Sequence, residues 1–172
     1  TLLGTAVLLN LSYQRTAKIW ELALLFLLWV NLHGGFIFGL MLLAILEFPW
    51  RGPGVQSFGS YAAKMLIASA VCLINPSGLS VFLLPLTYAL NDTSPYRTLG
   101  EWRTPFESGG IVSPLFFHSL ILGAALAAFW SLPYVRRRVP CSPEAIALAA
   151  LAAAMALTSR RFIVLWGIAF AL

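Results

Sequence analysis

The stretch WVNLHGGF, Trp29–Phe36, interrupts an apolar run that extends over residues 22–46. A run of this length can cross a bilayer, because a helix of about 20 apolar residues spans the hydrocarbon core. In such a helix each polar side chain costs free energy and each glycine weakens the helix, so Asn31, His33 and the glycine pair require a reason. Two interpretations follow. Either the glycines allow close packing while Asn31 and His33 hydrogen-bond to a neighbouring helix, or the helix is broken and directs both side chains into a cavity.

The composition extends the membrane interpretation to the rest of the chain. Of its 172 residues, 60% are hydrophobic and 10% are charged, whereas soluble domains contain roughly 25% charged residues. We therefore predict an all-α fold, a polytopic transmembrane helical bundle with about five to six membrane segments, one or two of them broken. Residues 1–172 are expected to form a single transmembrane domain that is an excerpt of a longer chain. The apolar runs predict helical segments in residues 1–11, 19–46, 60–74, 79–90, 111–132, 145–157 and 162–172.

The basic residues indicate an orientation. Arg136–Arg138 form the densest basic cluster, with no acidic residue before Glu144. Because cytoplasmic loops of membrane proteins are enriched in Lys and Arg, we predict that this cluster and Arg51 face the cytoplasm and that Trp102 lies on the opposite side. A total count of basic residues favours the reverse orientation. The net charge of +5 is attributed to loop residues that contact anionic lipid, and no nucleic acid is expected as a partner.

Two segments far apart in the sequence combine arginines with an aromatic residue or a carboxylate. Their candidate substrate-binding and catalytic residues are Arg97, Glu101, Trp102, Arg103, Arg160 and Arg161. A guanidinium binds phosphate through paired hydrogen bonds, and a nearby carboxylate can coordinate a metal or act as a base. We predict that these side chains converge around an anionic ligand, a lipid phosphate, with Glu101 as a candidate catalytic residue. The alternative is that each segment only anchors its helix at the membrane surface.

Few other side chains are candidates for chemistry. His33 is a second candidate catalytic residue, and Asn31 is a candidate substrate ligand. Apart from His33, the chain contains one histidine, His118, and ligation of a haem or pigment by either is not expected. Cys72 and Cys141 have no CxxC partner and no nearby His, so we expect free thiols and no metal site built from protein ligands. A divalent metal bound together with a phosphate is left open.

Four short motifs follow one another in a recognisable order: W-x-N-x-H-G-G-F, then N-P-x-G, then E-W-x-x-P, then a late Ser-Arg-Arg before an apolar run. The residues that carry these motifs are Trp29, Asn31, His33, Gly34, Gly35, Phe36, Asn75, Pro76, Gly78, Glu101, Trp102, Pro105, Arg160 and Arg161. In this order they resemble a group of bacterial multi-pass membrane proteins that are similar to glycosyltransferases of the GT-C superfamily. The resemblance covers nearly the whole chain.

The resemblance implies a multi-pass enzyme of the bacterial inner (cytoplasmic) membrane. Such an enzyme transfers a sugar from a polyprenyl-phosphate donor to an acceptor on the outer side of the membrane, so membrane lipids and the lipid-linked sugar are its implied partners. In these enzymes a key acidic residue lies in the first external loop, near the N-terminus. The present chain would then be a C-terminal portion of the enzyme.

Two other functions are alternatives to the enzyme. A non-catalytic helical subunit of a larger bacterial membrane complex, respiratory or photosynthetic, would explain the abundant aromatic residues and the Gly- and Ala-rich surfaces, with other membrane subunits as partners. A transporter would be expected to contain inverted repeats and paired charges within the membrane, and we find neither pattern in the sequence.

Overall fold

A computed structural model describes residues 1–13, 17–50, 57–84, 99–107 and 114–171. Within these ranges the chain forms helices and turns, and none of the described residues belongs to a β-strand. The all-α prediction is therefore confirmed for this part of the chain. The chain is divided into two compact units, Thr1–Ala89 and Leu90–Leu172.

The first unit consists of short helices. They are α1 (Leu2–Tyr13), α2 (Ile19–Leu32), α3 (Phe36–Leu46) and α4 (Phe58–Val71), and residues 80–84 are also helical. The predicted segment 19–46 is thus two helices. The helix ends at Leu32 because His33 has extended backbone angles (φ −163°, ψ 135°), and Gly34 and Gly35 form the turn that follows.

A second turn follows α4 and is built by Asn75. The Asn75 Oδ1 accepts a hydrogen bond from the Ser77 backbone N–H at 2.8 Å, and Asn75 Nδ2 donates to the Cys72 carbonyl at 2.6 Å. Gly78 has a φ of +53°, a conformation that residues with a Cβ rarely adopt. The N-P-x-G motif therefore forms a tight turn between two helices of the first unit.

The indole ring of Trp29 is buried against α1 and α3. A Cβ atom added to Gly4 of α1 would lie 2.6 Å from this ring, and one added to Gly39 of α3 would also lie 2.6 Å from it. The ring, which is 4% exposed, therefore fits between the two helices because both have glycine at the point of contact. Nearby, the buried Phe36 packs edge-on against Phe82, with 5.6 Å between the ring centroids.

The second unit contains three longer helices and two short helical elements. They are α5 (Pro114–Ser131), α6 (Pro133–Arg138), α7 (Pro143–Thr158), a 3-10 turn (Arg160–Phe162) and α8 (Ile163–Ala171). Ser142 caps α7 by accepting a hydrogen bond from the Ala145 N–H at 3.1 Å. The Trp166 Nε1 of α8 donates to the Ser119 Oγ of α5 at 2.8 Å, so these two helices lie against each other.

Among the described residues, α5 is the one helix that has both the length and the apolar composition needed to cross a membrane. Its 18 residues correspond to a length of about 27 Å at 1.5 Å per residue. Phe116 is buried, but most of the large apolar side chains of this helix are exposed: Ile121 is 68% exposed and Phe129 is 59% exposed. The predicted segment 111–132 agrees with this helix over its described part.

Candidate functional site

The polar residues of the WVNLHGGF stretch stabilise the turn in which they lie. The Asn31 Nδ2 donates to the Leu27 carbonyl at 2.8 Å and to the Ile74 carbonyl at 3.0 Å. The second bond joins the end of α2 to the turn after α4. Asn31, predicted as a substrate ligand, thus has a structural contact that accounts for an amide at this position.

His33 holds the turn through one nitrogen of its ring. The Gly35 backbone N–H donates to His33 Nδ1 at 2.8 Å, and the Thr1 hydroxyl lies 2.9 Å from the same nitrogen. An N–H can only donate, so Nδ1 is the acceptor and the neutral ring carries its proton on Nε2. His33 itself is exposed. A Cβ at Gly35 would overlap the Thr1 hydroxyl, which explains the glycine at this position.

Main-chain hydrogen bonds join the two charged segments of the second unit. The backbone N–H of Arg160 donates to the Arg103 carbonyl at 3.0 Å, and the N–H of Arg161 donates to the Glu101 carbonyl at 3.0 Å. Ser159, which is 5% exposed, donates from its Oγ to the Glu101 carbonyl at 2.9 Å. Ser159 belongs to the Ser-Arg-Arg motif, but the sequence analysis did not include it among the site residues, although its position between an apolar helix and an arginine pair was a usable signal.

These contacts define a cluster that we call the arginine cluster: Glu101, Trp102, Arg103, Arg160 and Arg161. It forms because α7 ends at Thr158 and Ser159 is extended (φ −156°, ψ 136°), which frees the following N–H groups to bond outside the helix. Arg97, the remaining predicted member, lies outside the described residues.

The two neighbouring arginines of the cluster differ in their contacts. The Arg160 guanidinium donates from Nη2 to the Glu107 carbonyl and from Nη1 to the Gly100 carbonyl at 3.5 Å, so it fastens the 99–107 segment. The Arg161 guanidinium lies 4.3 Å above the centre of the Trp102 ring, and Arg161 is exposed. A cation stacked in this way is attracted by the ring and keeps its hydrogen-bond donors available.

The carboxylate of the cluster faces outward. Glu101 is exposed, and its side chain forms no ion pair with any residue that the structure describes. Arg103, two residues further along the chain, is partly buried. The cluster therefore combines an exposed, ring-oriented guanidinium with an exposed carboxylate, an arrangement that can bind a small anion and accept a proton.

The cluster lies near the N-terminal end of α5. The Phe106 ring, in the same segment as Trp102, lies 5.9 Å from the Phe117 ring in the first turn of α5. Arg136–Arg138 follow the C-terminal end of this helix. Within the second unit the two groups of arginines are thus separated by the length of α5.

The sequence analysis did not predict one charge pair that the structure contains. The Lys64 Nζ of α4 lies 2.6 Å from Glu47 Oε2 at the end of α3, and Glu47 is 4% exposed. Lys64 is the one charged residue in the Phe58–Val71 helix. An isolated Lys in an apolar helix, 17 residues after an isolated Glu, was a signal that the two would pair.

The remaining groups give no metal centre in the described part of the chain. Over those residues, no three His, Cys, Asp or Glu side chains are arranged to hold a metal ion. His118 is exposed on α5. Cys72 is buried and Cys141 is exposed, and both are free thiols.

Comparison with known proteins gives no match. No protein-family model matches the chain, and no curated protein or solved structure matches it.

Proposed function

We propose that the chain is part of a polytopic protein of the bacterial inner membrane that binds the phosphate of a polyprenyl-phosphate-linked sugar. The function follows the resemblance to GT-C glycosyltransferases. The observation that supports it best is the arginine cluster, in which two sequence segments more than fifty residues apart are joined by main-chain hydrogen bonds. These hydrogen bonds hold the arginines near the exposed carboxylate of Glu101. They do not involve the Arg161 guanidinium, which keeps its hydrogen-bond donors available for a ligand.

The position of the cluster also supports a lipid ligand. The Phe106–Phe117 contact puts the cluster beside the first turn of α5, the helix with the length and composition for a membrane span. If α5 crosses the bilayer, the cluster lies at a membrane surface, at the depth of lipid phosphates. Trp102 suits this depth because Trp is enriched at membrane–water interfaces.

The cluster residues receive different roles in this proposal. Arg161 binds the phosphate, whereas Arg160 fixes the segment that carries Arg103. Glu101 accepts the proton of an acceptor hydroxyl while the oxygen of that hydroxyl attacks C1 of the sugar. The bond between C1 and the phosphate oxygen breaks, and polyprenyl phosphate leaves. The binding step rests on the cluster geometry, and the transfer step rests on the resemblance.

The binding step can be tested with the full chain in nanodiscs that contain a constant excess of phosphatidylglycerol. We expect native mass spectrometry to show binding of polyprenyl phosphate in preference to polyprenol. Arg161→Gln should weaken this binding roughly tenfold or more, because hydrogen bonds to charged groups contribute about 1.5–3 kcal/mol and about 1.4 kcal/mol is a factor of ten. Arg137→Gln removes an exposed arginine at the other end of α5 and should leave the binding unchanged.

The test can also fail in a clear way. Equal binding of polyprenyl phosphate and polyprenol by the unaltered chain would contradict a phosphate site. Equal losses in Arg161→Gln and Arg137→Gln would indicate general attraction of an anion by a basic protein, and the proposed role of the cluster would be wrong.

One group of observations favours the non-catalytic subunit as a second candidate. Asn31, His33 and Arg160 were predicted as site residues, and each holds a local turn or loop through main-chain groups. Such contacts are sufficient reason for polar residues in a packing subunit. Absence of any preference for phosphate, together with migration of the native protein in a defined larger complex on blue native gels, would support this second function.

A further inference from the structure

The short helix α6 presents an uncompensated basic surface. Its last turn consists of Arg136, Arg137 and Arg138, and all three are exposed. None of them forms an ion pair with a residue in the described ranges. The next acidic residue in the sequence, Glu144, lies in the first turn of α7. Three adjacent positive charges without a carboxylate partner repel one another unless an anion neutralises them.

Aromatic rings hold two of these arginines beside the end of α5. The Arg136 guanidinium lies 5.3 Å from the centre of the Trp130 ring, and the Arg138 guanidinium lies 5.0 Å from the centre of the Tyr134 ring. The Trp130 Nε1 donates to the Val139 carbonyl at 2.7 Å, which fixes the indole across the α6 turn. The basic surface is therefore attached to the preceding helix in a defined geometry.

The surface that leads to the arginines is apolar and exposed. Along α5 and the α6 junction, Leu126 is 53% exposed, Phe129 is 59% exposed and Leu132 is 50% exposed. Along the chain, a mixture of aliphatic and aromatic residues thus leads to the basic residues. A bilayer presents the complementary order, from hydrocarbon through the interface to headgroup phosphates. A nucleic acid would match the arginines and leave the apolar residues beside them without a partner.

We infer that α6, together with Trp130 at the end of α5, binds the phosphate groups of anionic membrane lipids of the phosphatidylglycerol type. We call this surface the α6 lipid site. It is separate from the arginine cluster and does not depend on the proposed glycosyltransferase function, because the two lie at opposite ends of α5 within the same unit. It also gives a physical reason for a preferred orientation, since anionic lipids of the cytoplasmic leaflet attract such basic segments.

The experiment measures energy transfer from the tryptophans of the full chain to dansyl-phosphatidylglycerol in nanodiscs of phosphatidylcholine. Each basic residue near an anionic surface strengthens binding by roughly a factor of five. The triple variant Arg136→Gln, Arg137→Gln, Arg138→Gln should therefore bind dansyl-phosphatidylglycerol roughly a hundredfold more weakly. Binding by the unaltered chain should also weaken as the NaCl concentration increases, because salt screens exposed charges.

Two control variants keep the test decisive. The triple variant with Lys at the same positions retains the charge, so it should recover most of the binding even where the Gln variant folds poorly. Lys18→Gln, which removes an exposed basic residue of the first unit, should bind phosphatidylglycerol like the unaltered chain. The triple Gln variant should still prefer polyprenyl phosphate to polyprenol, so failure of the α6 lipid site and failure of the proposed function are distinguishable.

Three outcomes would overturn the inference. The first is an unchanged affinity in the folded Gln variant. The second is displacement of the lipid by millimolar inorganic phosphate, which would indicate a general anion site. The third is binding of a short RNA by the arginines with higher affinity than phosphatidylglycerol, which would make the surface a nucleic-acid contact.

Discussion

Gly39→Ala tests the packing that organises the first unit, and its effect can be estimated from the structure. The new Cβ would lie 2.6 Å from Cζ3 of Trp29 and 2.8 Å from Cη2. Carbon atoms in contact are normally about 3.5–4.0 Å apart, so the ring or α3 would have to move by roughly 1 Å. The ring cannot move away freely, because a Cβ at Gly4 on its other side would also be 2.6 Å away.

The expected loss combines two opposing effects. Overpacking of a tight interior typically costs about 1–3 kcal/mol, whereas Ala in place of Gly stabilises a helix by about 0.8–1 kcal/mol. Gly39→Ala should therefore lower the free energy of unfolding by up to about 2 kcal/mol. For a chain of this size the loss of about 2 kcal/mol corresponds to a decrease in Tm of roughly 4–8 °C, which is the largest decrease expected. The measurement is thermal unfolding of the purified chain by differential scanning fluorimetry.

Two further variants separate packing from other effects. Gly59→Ala, in α4 of the same unit, introduces a Cβ 3.9 Å from Ser57 Oγ and should be neutral or stabilising. Trp29→Phe removes the outer ring atoms that meet the new Cβ, and it breaks no hydrogen bond of Trp29 Nε1 with the described residues. Gly39→Ala should therefore cost less in the Trp29→Phe background. An equal cost in both backgrounds, or melting of Gly39→Ala like Gly59→Ala, would refute the reasoning.

Three other predictions concern the turn at Gly35, the pair formed by Lys64 and Glu47, and the accessibility of the two cysteines. Gly35→Leu should prevent normal folding or assembly, since a Cβ at this position overlaps the Thr1 hydroxyl, and wild-type yield and melting would count against it. Lys64→Met should destabilise by about 3–5 kcal/mol because it removes the cation from a buried pair; the double variant with Glu47→Gln should recover part of the loss, and additive losses would contradict the pairing. A membrane-impermeant maleimide should label the exposed Cys141 only after cells are lysed, and the buried Cys72 only after denaturation; labelling of Cys141 in intact cells would reverse the predicted orientation.

Helix positions were predictable because they depend on local pattern. The apolar run 60–74 corresponds to Phe58–Val71, and the run 145–157 corresponds to Pro143–Thr158. Ser and Pro at the starts of these helices supply a cap acceptor and a suitable backbone angle. The Gly34-Gly35 turn likewise follows from residues that weaken a helix. The lengths of the helices were not predictable from the apolar pattern. We predicted one segment over residues 19–46, but its central turn divides it into helices of 14 and 11 residues.

The partners of polar residues were harder to predict than the helices. A sequence shows that Lys64 and Glu47 are isolated charges, but their contact depends on how α3 and α4 pack. The same applies to Trp29, whose two glycine neighbours lie 25 residues before it and 10 residues after it in the sequence. Contacts of this kind depend on tertiary packing. The 3.6-residue period shows which face of a single helix is apolar, but it does not predict which residues of another helix that face contacts.

Arg160 and Arg161 show why a motif alone cannot assign a binding site. They are adjacent and chemically identical, and sequence reasoning gave both the same role. In a 3-10 turn successive side chains differ in direction by about 120°, since there are three residues per turn. One guanidinium consequently reaches the carbonyls of Gly100 and Glu107, and the other stacks over Trp102 on the exposed side. The backbone conformation imposed by the extended Ser159 therefore determines which arginine is available to an anion, and the argument for ligand binding by the cluster applies to Arg161 in a way that it does not apply to Arg160.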